Sequence, residues 1–416
     1  MNHSLQQRVR DHIAASWDKS VRTSPDDPTH VRVPYPYTVP SIEGAFQEMY
    51  YWDTYFTDRG LLLDGRLELA RQNCDNMLYL VDTYGFMPNG TRTYYLTRSQ
   101  SPYLMMMVLD VFRRSRDCDW LRRACPSLKR EYETWTTGNH LVAGTGLSRY
   151  FDRETDRQKL LAAFAGVAGR IGLPTDVSDD EKVLQARHAM AECTSGWDFT
   201  PRFENRCLDF IPVDLNANLY LYEQGFATIA EILGDGTADD WRKKAAARRE
   251  RLERFCWNET RGLYLDYDFV NRRHSTVASL ATFQPLWAGL ADAARAARVR
   301  ENLPLFERDF GLATCEPVET GSRSYQWGYP NGWAPLHLIA VEGLKKCGYD
   351  RDAARIAGKY LDVITSLFDQ TGKLWEKFNV CDGSLNTASE YGTPEMLGWT
   401  AGVFNVFSVG IPPERR

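Results

Sequence analysis

Acidic residues with aromatic neighbours are the groups in this 416-residue sequence that could do chemistry. Asp198 stands between Trp197 and Phe199, and Glu376 and Glu390 also lie close to aromatic residues. Apolar surroundings raise the pKa of a carboxyl group and keep it protonated, as a general acid requires. Two enclosed carboxyl groups suit cleavage of a glycosidic bond, because one protonates the leaving oxygen while the other activates water or attacks directly. The alternative is that Asp198 caps the next helix, which is the more common role of a single Asp.

Aromatic and hydrogen-bonding side chains cluster in segments that could bind a sugar. The chain has 12 Trp, 21 Tyr and 19 Phe, and several rings surround Asp53 in the run YYWDTYF at 50–56. Asn89, Arg98 and Gln100 follow in a second segment, and each offers several hydrogen-bond donors for hydroxyl groups. The alternatives are a core segment in which Asp53 caps a helix, and a plain Asn-Gly turn at 89–90.

Composition and motifs argue against several other classes of protein. A net charge of −5 without clustered Lys and Arg argues against a nucleic-acid partner. No apolar run reaches the ~18 residues of a membrane span, so no membrane association is predicted. Seven scattered His and the missing nucleotide-binding motifs predict neither a metal nor a cofactor. Nine Cys without a C-x-x-C pair, and an N-terminus without a secretory signal, predict reduced thiols in a cytoplasmic protein.

Helical periodicity recurs along most of the chain and predicts an all-α protein. The predicted helices cover 62–81, 103–112, 120–135, 181–193, 214–233, 239–255, 277–293, 332–347 and 352–368. About a dozen helices without a linker favour a toroid formed by one catalytic domain, 1–416, with an N-terminal helical extension over 1–33. Gly- and aromatic-rich segments between the helices, such as 34–58 and 194–206, are predicted loops that converge on a pocket. The Ala- and Gly-rich residues 157–180 are typical either of a flexible lid or of an ordinary helix and turn.

Six segments, taken in order, resemble the trehalase family of glycoside hydrolases. They are YYWDTYF at 50–56, DTYGFMPNGTRTYYLTRSQ at 82–100, SGWDF at 195–199, QWGYPNGWAP at 326–335, EKF at 376–378 and EYGTPEMLGWT at 390–400. The resemblance implies an (α/α)6 toroid and hydrolysis of an α-glucoside with inversion. It also implies a small carbohydrate as the partner, and it makes no prediction of oligomeric state.

The resemblance assigns roles to particular residues. Asp198 takes the place of the general acid, and Glu376 takes the place of the general base. The candidate substrate-binding residues are Phe46, Trp52, Asp53, Asn89, Arg98, Gln100, Trp197, Trp327 and Glu390, the last of which is expected to lie over the pocket.

Several arginines of the family pattern are missing from this sequence. Ala45 stands where the family has the arginine of a G-R-F segment, and an R-P-E segment is absent from 153–192. Gly328 replaces the aspartate of the family's QWD. Because bidentate arginine contacts are not replaced by Ala, recognition of the leaving half of the substrate is predicted to differ. The sequence therefore predicts a hydrolase of trehalose or a related α-glucoside. Hydrolysis of another glucosylated acid or polyol, a non-catalytic sugar-binding relative, and epimerisation or phosphorolysis on the same scaffold are alternatives.

Overall fold

The computed structural model describes residues 2–319, 325–387 and 391–410, and fourteen α-helices lie in these ranges. The helices are α1 Asn2–Ser16, α2 Tyr51–Leu63, α3 Leu67–Tyr84, α4 Leu104–Ser115, α5 Cys118–Thr136, α6 Arg157–Ile171, α7 Asp179–Thr194, α8 Val213–Leu233, α9 Ala238–Cys256, α10 Gln284–Ala288, α11 Ala293–Glu301, α12 Ala334–Lys346, α13 Asp350–Thr371 and α14 Gly398–Gly410. None of the helices in the described ranges is both long enough and apolar enough to cross a bilayer.

Six helices form a closed inner ring. Going round it, α2, α4, α8, α10, α12 and α14 each pack against the next, and α14 packs back against α2. Helices α3, α5, α9 and α13 pack outside the ring, as does α1, which lies within the predicted N-terminal extension and contacts α13 and α14. Helices α6 and α7 pack against each other as a hairpin inserted between α5 and α8. The predicted all-α toroid of the (α/α)6 type is confirmed.

The composition of each helix reflects whether it lies in the inner ring or packs outside it. Helix α8 is buried on almost every side, with Leu215, Leu219 and Phe226 among its buried residues. Helix α13 instead buries one stripe that includes Ile356 and Tyr360, and it exposes its other face. An inner helix has neighbours all round, whereas an outer helix needs only one apolar stripe.

Strands are short and lie in the connections between helices. All of them pair antiparallel, with the bounds Val21–Arg22, Tyr37–Thr38, Leu141–Val142, Leu147–Ser148, Phe210–Ile211, Trp257–Asn258, Leu263–Tyr264, Tyr267–Asp268, Arg273–His274, Glu307–Arg308, Gly311–Leu312, Asn331–Trp333 and Lys377–Asn379. The last two form one ribbon, in which Trp333 lies opposite Lys377. This ribbon joins the connection before α12 to the connection before α14.

Three local predictions differ from the structure. The run 50–56 was predicted in a loop but forms most of the first half of α2, whose apolar residues face neighbours on all sides and so show no helical period. The predicted helix 62–81 is divided between α2 and α3, because Gly65 adopts a left-handed conformation with φ of 75°. The predicted helix 277–293 contains only the short α10 after a 3₁₀ turn.

Residues 157–171 form the ordinary helix α6, one of the two predicted alternatives.

Two glycines allow α2 and α14 to cross at very close range. A Cβ atom on Gly60 would lie 2.7 Å from the Cα of Gly402, and one on Gly402 would overlap the carbonyl oxygen of Phe56. Backbone lies on both sides of the crossing, so a side chain there cannot be accommodated by a rotamer change. The inner ring closes through this contact.

We expect Gly402→Ala to lower the free energy of unfolding by about 3 kcal/mol, because the added methyl group forces α2 and α14 apart. Gly358→Ala is the matched control, since Gly358 lies inside α13 with open space around its Cα. Ala is the better helix former, so this control should be neutral or up to ~1 kcal/mol more stable. Urea unfolding followed by circular dichroism measures both. Equal stability of the two variants would contradict the close crossing.

Candidate active site

A cavity of about 170 Å³ lies where the connections before the inner helices meet, and we refer to it as the tryptophan-lined cavity. Its lining residues are Phe46, Tyr50, Trp52, Asp53, Asn89, Tyr95, Arg98, Gln100, Arg170, Gly196, Asp198, Gln326, Trp327, Trp333, Glu376, Tyr391, Met396 and Trp399. Most of them precede or begin an inner helix: 46–53 leads into α2, 89–100 into α4, 326–333 into α12 and 376–399 into α14. The ring therefore gathers segments that are far apart in sequence.

Nine of the predicted site residues line this cavity. They are Phe46, Trp52, Asp53, Asn89, Arg98, Gln100, Asp198, Trp327 and Glu376. Glu390 lies outside the described residues. Trp197 is not among the lining residues: it is buried behind Trp327, with the two ring centroids 5.7 Å apart.

Five tryptophans make one wall of the cavity rigid. Trp327 stacks on Trp333 with ring centroids 3.8 Å apart and ring planes nearly parallel, and it also contacts Trp52, Trp197 and Trp399. Aromatic pairs in such offset and edge arrangements add to the stability given by burial. The indole faces that reach the cavity are consequently held in fixed positions.

Arg202, buried and paired with two aspartates, packs against Trp197 on the side of the tryptophans away from the cavity. Arg202 is completely buried and lies 4.4 Å from the Trp197 ring centroid. Its guanidinium donates bidentate hydrogen bonds to Asp214, at 3.1 and 3.0 Å, and to Asp266, at 2.7 Å for both bonds. Asp214 belongs to α8, so the segment that carries Asp198 is fixed to an inner helix.

Glu376 is one of the carboxyls that line the cavity, and a buried lysine lies directly against it. It is only 3% exposed, and burial raises the pKa of its carboxyl. Lys377, completely buried, donates to Oε2 at 2.6 Å, and the Tyr391 hydroxyl donates to Oε1 at 2.9 Å; both oppose that rise in pKa. The pKa of Glu376 stays above its usual value and burial lowers the pKa of Lys377, but the ammonium still favours the ionised form of Glu376 over the protonated one.

Asp198 has no lysine beside it and is held differently. Its surroundings raise the pKa of its carboxyl to about 6, mainly through desolvation, while the positive charge of Arg98 acts in the opposite direction. The Cys193 thiol and Arg170 also lower the pKa of this carboxyl. A carboxyl with a pKa of about 6 is protonated in mildly acidic solution and can donate that proton.

Asp53 supplies a third carboxyl, in the first turn of α2. Burial, together with the charges of Glu376 and Asp198, raises its pKa to about 8. Its side chain accepts no hydrogen bond from another side chain of the described residues.

Two glutamines add polar groups to the cavity. Gln100 accepts the backbone N–H of Trp52 at 3.2 Å, and the buried Oε1 of Gln326 has no partner in the part of the chain that is described. These groups can bind the hydroxyls of a sugar.

Several residues that line the cavity or contact its carboxyls have no role assigned from the sequence alone. Gln326, Lys377 and Tyr391 lie inside quoted motifs, directly beside Trp327, Glu376 and Glu390, so their positions in sequence were a usable signal. Arg170 gave none, because it lies in the last turn of the ordinary helix α6, outside every quoted motif. Within residues 2–319, 325–387 and 391–410, no group of His, Cys, Asp and Glu is arranged to hold a metal ion.

Comparisons with known proteins agree with the geometry of the cavity. The sequence model of the family described as trehalase matches residues 1–408. Proteins named periplasmic trehalase from Xanthomonas campestris pv. campestris (strain B100) and Pseudomonas aeruginosa are each 36% identical to this chain; the matches cover 95% and 94% of it, and 72% and 74% of the relatives.

Solved structures give the same fold. Neutral trehalase Nth1 from Saccharomyces cerevisiae aligns with a TM-score of 0.78 and 29% identity, covering 97% of this chain and 80% of that one. The GH63 mannosylglycerate hydrolase from Thermus thermophilus aligns with a TM-score of 0.67 over 96% of this chain and 99% of its own. At 17% identity, the second structure is similar in fold alone.

The prediction of a cytoplasmic protein is wrong, because the relatives at 35–36% identity are named periplasmic trehalases. All nine cysteines are free, and Cys74, Cys193, Cys207, Cys256 and Cys315 are buried. Packing shields a buried thiol from oxidants in any compartment, so the lack of a disulfide pattern does not identify a reducing one.

Proposed function

The chain belongs to the trehalase family of glycoside hydrolases, and we propose that it hydrolyses α,α-trehalose with inversion, using Asp198 as the acid and Glu376 as the base. The observation that carries this proposal is the placement of both carboxyls on one tryptophan-lined cavity, one against a lysine and the other without one. The missing family arginines are the observation that favours a different glucoside, and no observation in the described residues favours a non-catalytic relative.

The proposed reaction needs one proton donor and one proton acceptor. Asp198 protonates the glycosidic oxygen as the bond from that oxygen to C1 breaks. Glu376 takes a proton from a water molecule that attacks C1 from the opposite face of the ring. One glucose leaves with its α configuration unchanged, and the attacked glucose is released as the β anomer. Neither carboxyl forms a covalent bond to the sugar.

The surroundings of the two carboxyls suit these roles. Lys377 and Tyr391 each occupy one oxygen of Glu376, which keeps the carboxylate ionised and fixes its plane before substrate binds. Asp53, Asn89 and Gln100 offer carboxyl and amide groups for the hydroxyls of the sugar that is attacked. Trp52, Trp327, Trp333 and Trp399 line the cavity with indole rings, against which a pyranose ring can pack.

Arg170 provides a guanidinium for the leaving glucose. The arginines of the family's G-R-F and R-P-E segments are absent from this sequence, yet Arg170 from α6 lines the same cavity and acts electrostatically on Asp198. Asp198 must contact the oxygen between the two sugars. Arg170 acts on this acid from α6, so its guanidinium is placed to donate hydrogen bonds to the hydroxyls of the leaving glucose.

We expect Asp198→Asn and Glu376→Gln each to lower kcat for trehalose by at least ~10³-fold, because each amide removes one proton transfer. Their melting temperatures should stay near that of the unsubstituted protein, since the amides keep the shapes of the side chains. Proton NMR of the unsubstituted enzyme should show α- and β-glucose appearing in equal amounts before mutarotation. Near-normal turnover by both variants, or release of the α anomer alone, would refute the assignment.

The pH profile should be bell-shaped, and its limbs should report the two carboxyls. The general acid must be protonated, so kcat/KM should fall tenfold per pH unit above about pH 6, the pKa of Asp198. The base must be ionised, so kcat/KM should also fall on the acid side as Glu376 takes up a proton.

Lys377→Met removes the charge that lowers the pKa of Glu376, and the acid limb of the pH profile should move to higher pH. Lys373→Met, at an exposed pair with Glu395, is the control and should leave the profile unchanged. An unmoved acid limb in Lys377→Met would contradict the role of Glu376.

Arg170→Gln should lower kcat/KM for trehalose about 10–100-fold, the effect of losing a hydrogen bond from a charged group. Hydrolysis of α-D-glucosyl fluoride, which has no second sugar, should change much less. The control is Arg157→Gln at the exposed start of the same helix, where Arg157 pairs with Asp180. Equal losses on both substrates would mean that Arg170 acts through Asp198 rather than on the leaving glucose.

A further inference from the structure

A second, larger cleft lies apart from the tryptophan-lined cavity and has no part in the proposed reaction. Its volume is about 760 Å³, within the range of sites for small molecules. We name it the basic cleft and define it by Arg149, Arg153, Arg187, His140, Phe151 and Glu154. None of these residues lines the first cavity.

The three arginines of the basic cleft lack the usual carboxylate partners. Among the described residues, Arg149 donates only to the backbone carbonyls of Asn139 and Leu208, each at 2.9 Å. The Nη1 atom of Arg153 is completely buried without a hydrogen-bond partner, and Arg187 forms no ion pair; both statements concern the residues that the structure describes. Burial lowers the pKa of Arg149 and of Arg153, because no carboxylate compensates their charges fully.

The acidic residue of the cleft is already engaged. Glu154 accepts the backbone N–H groups of Thr155 and Asp156, each at 2.9 Å, and lies 3.5 Å from the ammonium of Lys159. It therefore does not neutralise the arginines across the cleft. Asp209 and Asp152 compensate Arg149 and Arg153 only in part, and partly buried cations with incomplete compensation are costly unless a ligand supplies negative charge.

His140 adds a hydrogen-bond acceptor to the cleft. It is 4% exposed, and burial lowers its pKa to about 4, so the ring is neutral at neutral pH. Its Nδ1 lies 3.1 Å from the carbonyl oxygen of Arg149 and must donate to it, which leaves a lone pair on Nε2. This Nε2 atom is buried and has no partner among the described residues.

We propose that the basic cleft binds a phosphate monoester of a small hydroxylated molecule. The guanidinium groups of Arg149, Arg153 and Arg187 match the charge and the oxygen geometry of a phosphate. A hydroxyl of the ligand donates to Nε2 of His140. The open volume beyond the arginines accommodates the remainder of the ester.

One extended segment, 149–153, lines the basic cleft and contacts a residue that lines the tryptophan-lined cavity. Arg149, Phe151 and Arg153 face the basic cleft, and the residues between them face inward. The hydroxyl of Tyr150 lies 2.7 Å from that of Ser101, and Asp152 lies 3.7 Å from the guanidinium of Arg98. A ligand in the basic cleft thus contacts the same segment whose Asp152 lies beside Arg98 in the tryptophan-lined cavity.

Calorimetric titration with inorganic phosphate, at constant ionic strength and pH 7.5, tests the proposal without using activity. One phosphate should bind per chain, and Arg187→Gln and Arg153→Gln should each weaken binding at least about tenfold. Arg187 forms no hydrogen bond or ion pair within the described residues, so its variant should fold normally, and thermal melting checks this for both. Arg130→Gln, at an exposed pair with Asp82, and Asp198→Asn, in the catalytic cavity, should bind phosphate unchanged.

Three outcomes would overturn the proposal or a part of it. Absence of saturable binding, or equal binding by all variants, would overturn the site itself. Sulfate has no hydroxyl to donate to His140, so affinity for sulfate equal to that for phosphate would contradict the role of Nε2. Glycerol 3-phosphate should bind more tightly than inorganic phosphate, and equal affinity would overturn the assignment of an ester.

Discussion

The buried ion pair between Lys377 and Glu376 is the interaction on which the tryptophan-lined cavity depends. Two carboxyls that share one enclosed space would both gain protons, because desolvation raises the pKa of each. A lysine at 2.6 Å from one of them makes the pair unequal. Desolvating an ion pair is costly, and this cost is offset here by the Tyr391 hydroxyl and by the aromatic rings of Tyr391 and Trp333 near the ammonium.

The toroid explains why such an arrangement can be built from distant pieces of chain. Each inner helix starts at the same end of the ring, so the connections before α2, α4, α12 and α14 are brought together there. The ribbon Asn331–Trp333 with Lys377–Asn379 then sets Trp333 opposite Lys377. One antiparallel pairing therefore couples the tryptophan wall to the charged carboxylate.

The sequence was sufficient for the fold class and for most of the cavity, because aromatic residues and carboxylates concentrate in a few motifs. It was insufficient where a role depends on three-dimensional packing. Trp197 stands beside Asp198 in sequence, but its ring is turned away from the cavity and lies against Arg202. Arg170 enters the cavity from a helix whose pattern is ordinary. Helix α2 was missed as a helix because burial on all sides removes its periodicity.

The glycine crossing of α2 and α14 also has a consequence for how the molecule assembles. Gly60 and Gly402 are separated by most of the polypeptide, so the contact that seals the toroid is among its least local ones. Contacts between remote residues form slowly, since the intervening chain must first lose much of its freedom. Until α14 docks, the apolar flank of α2 stays open to solvent and to other chains. The step that completes the ring is accordingly the one at which aggregation competes with folding.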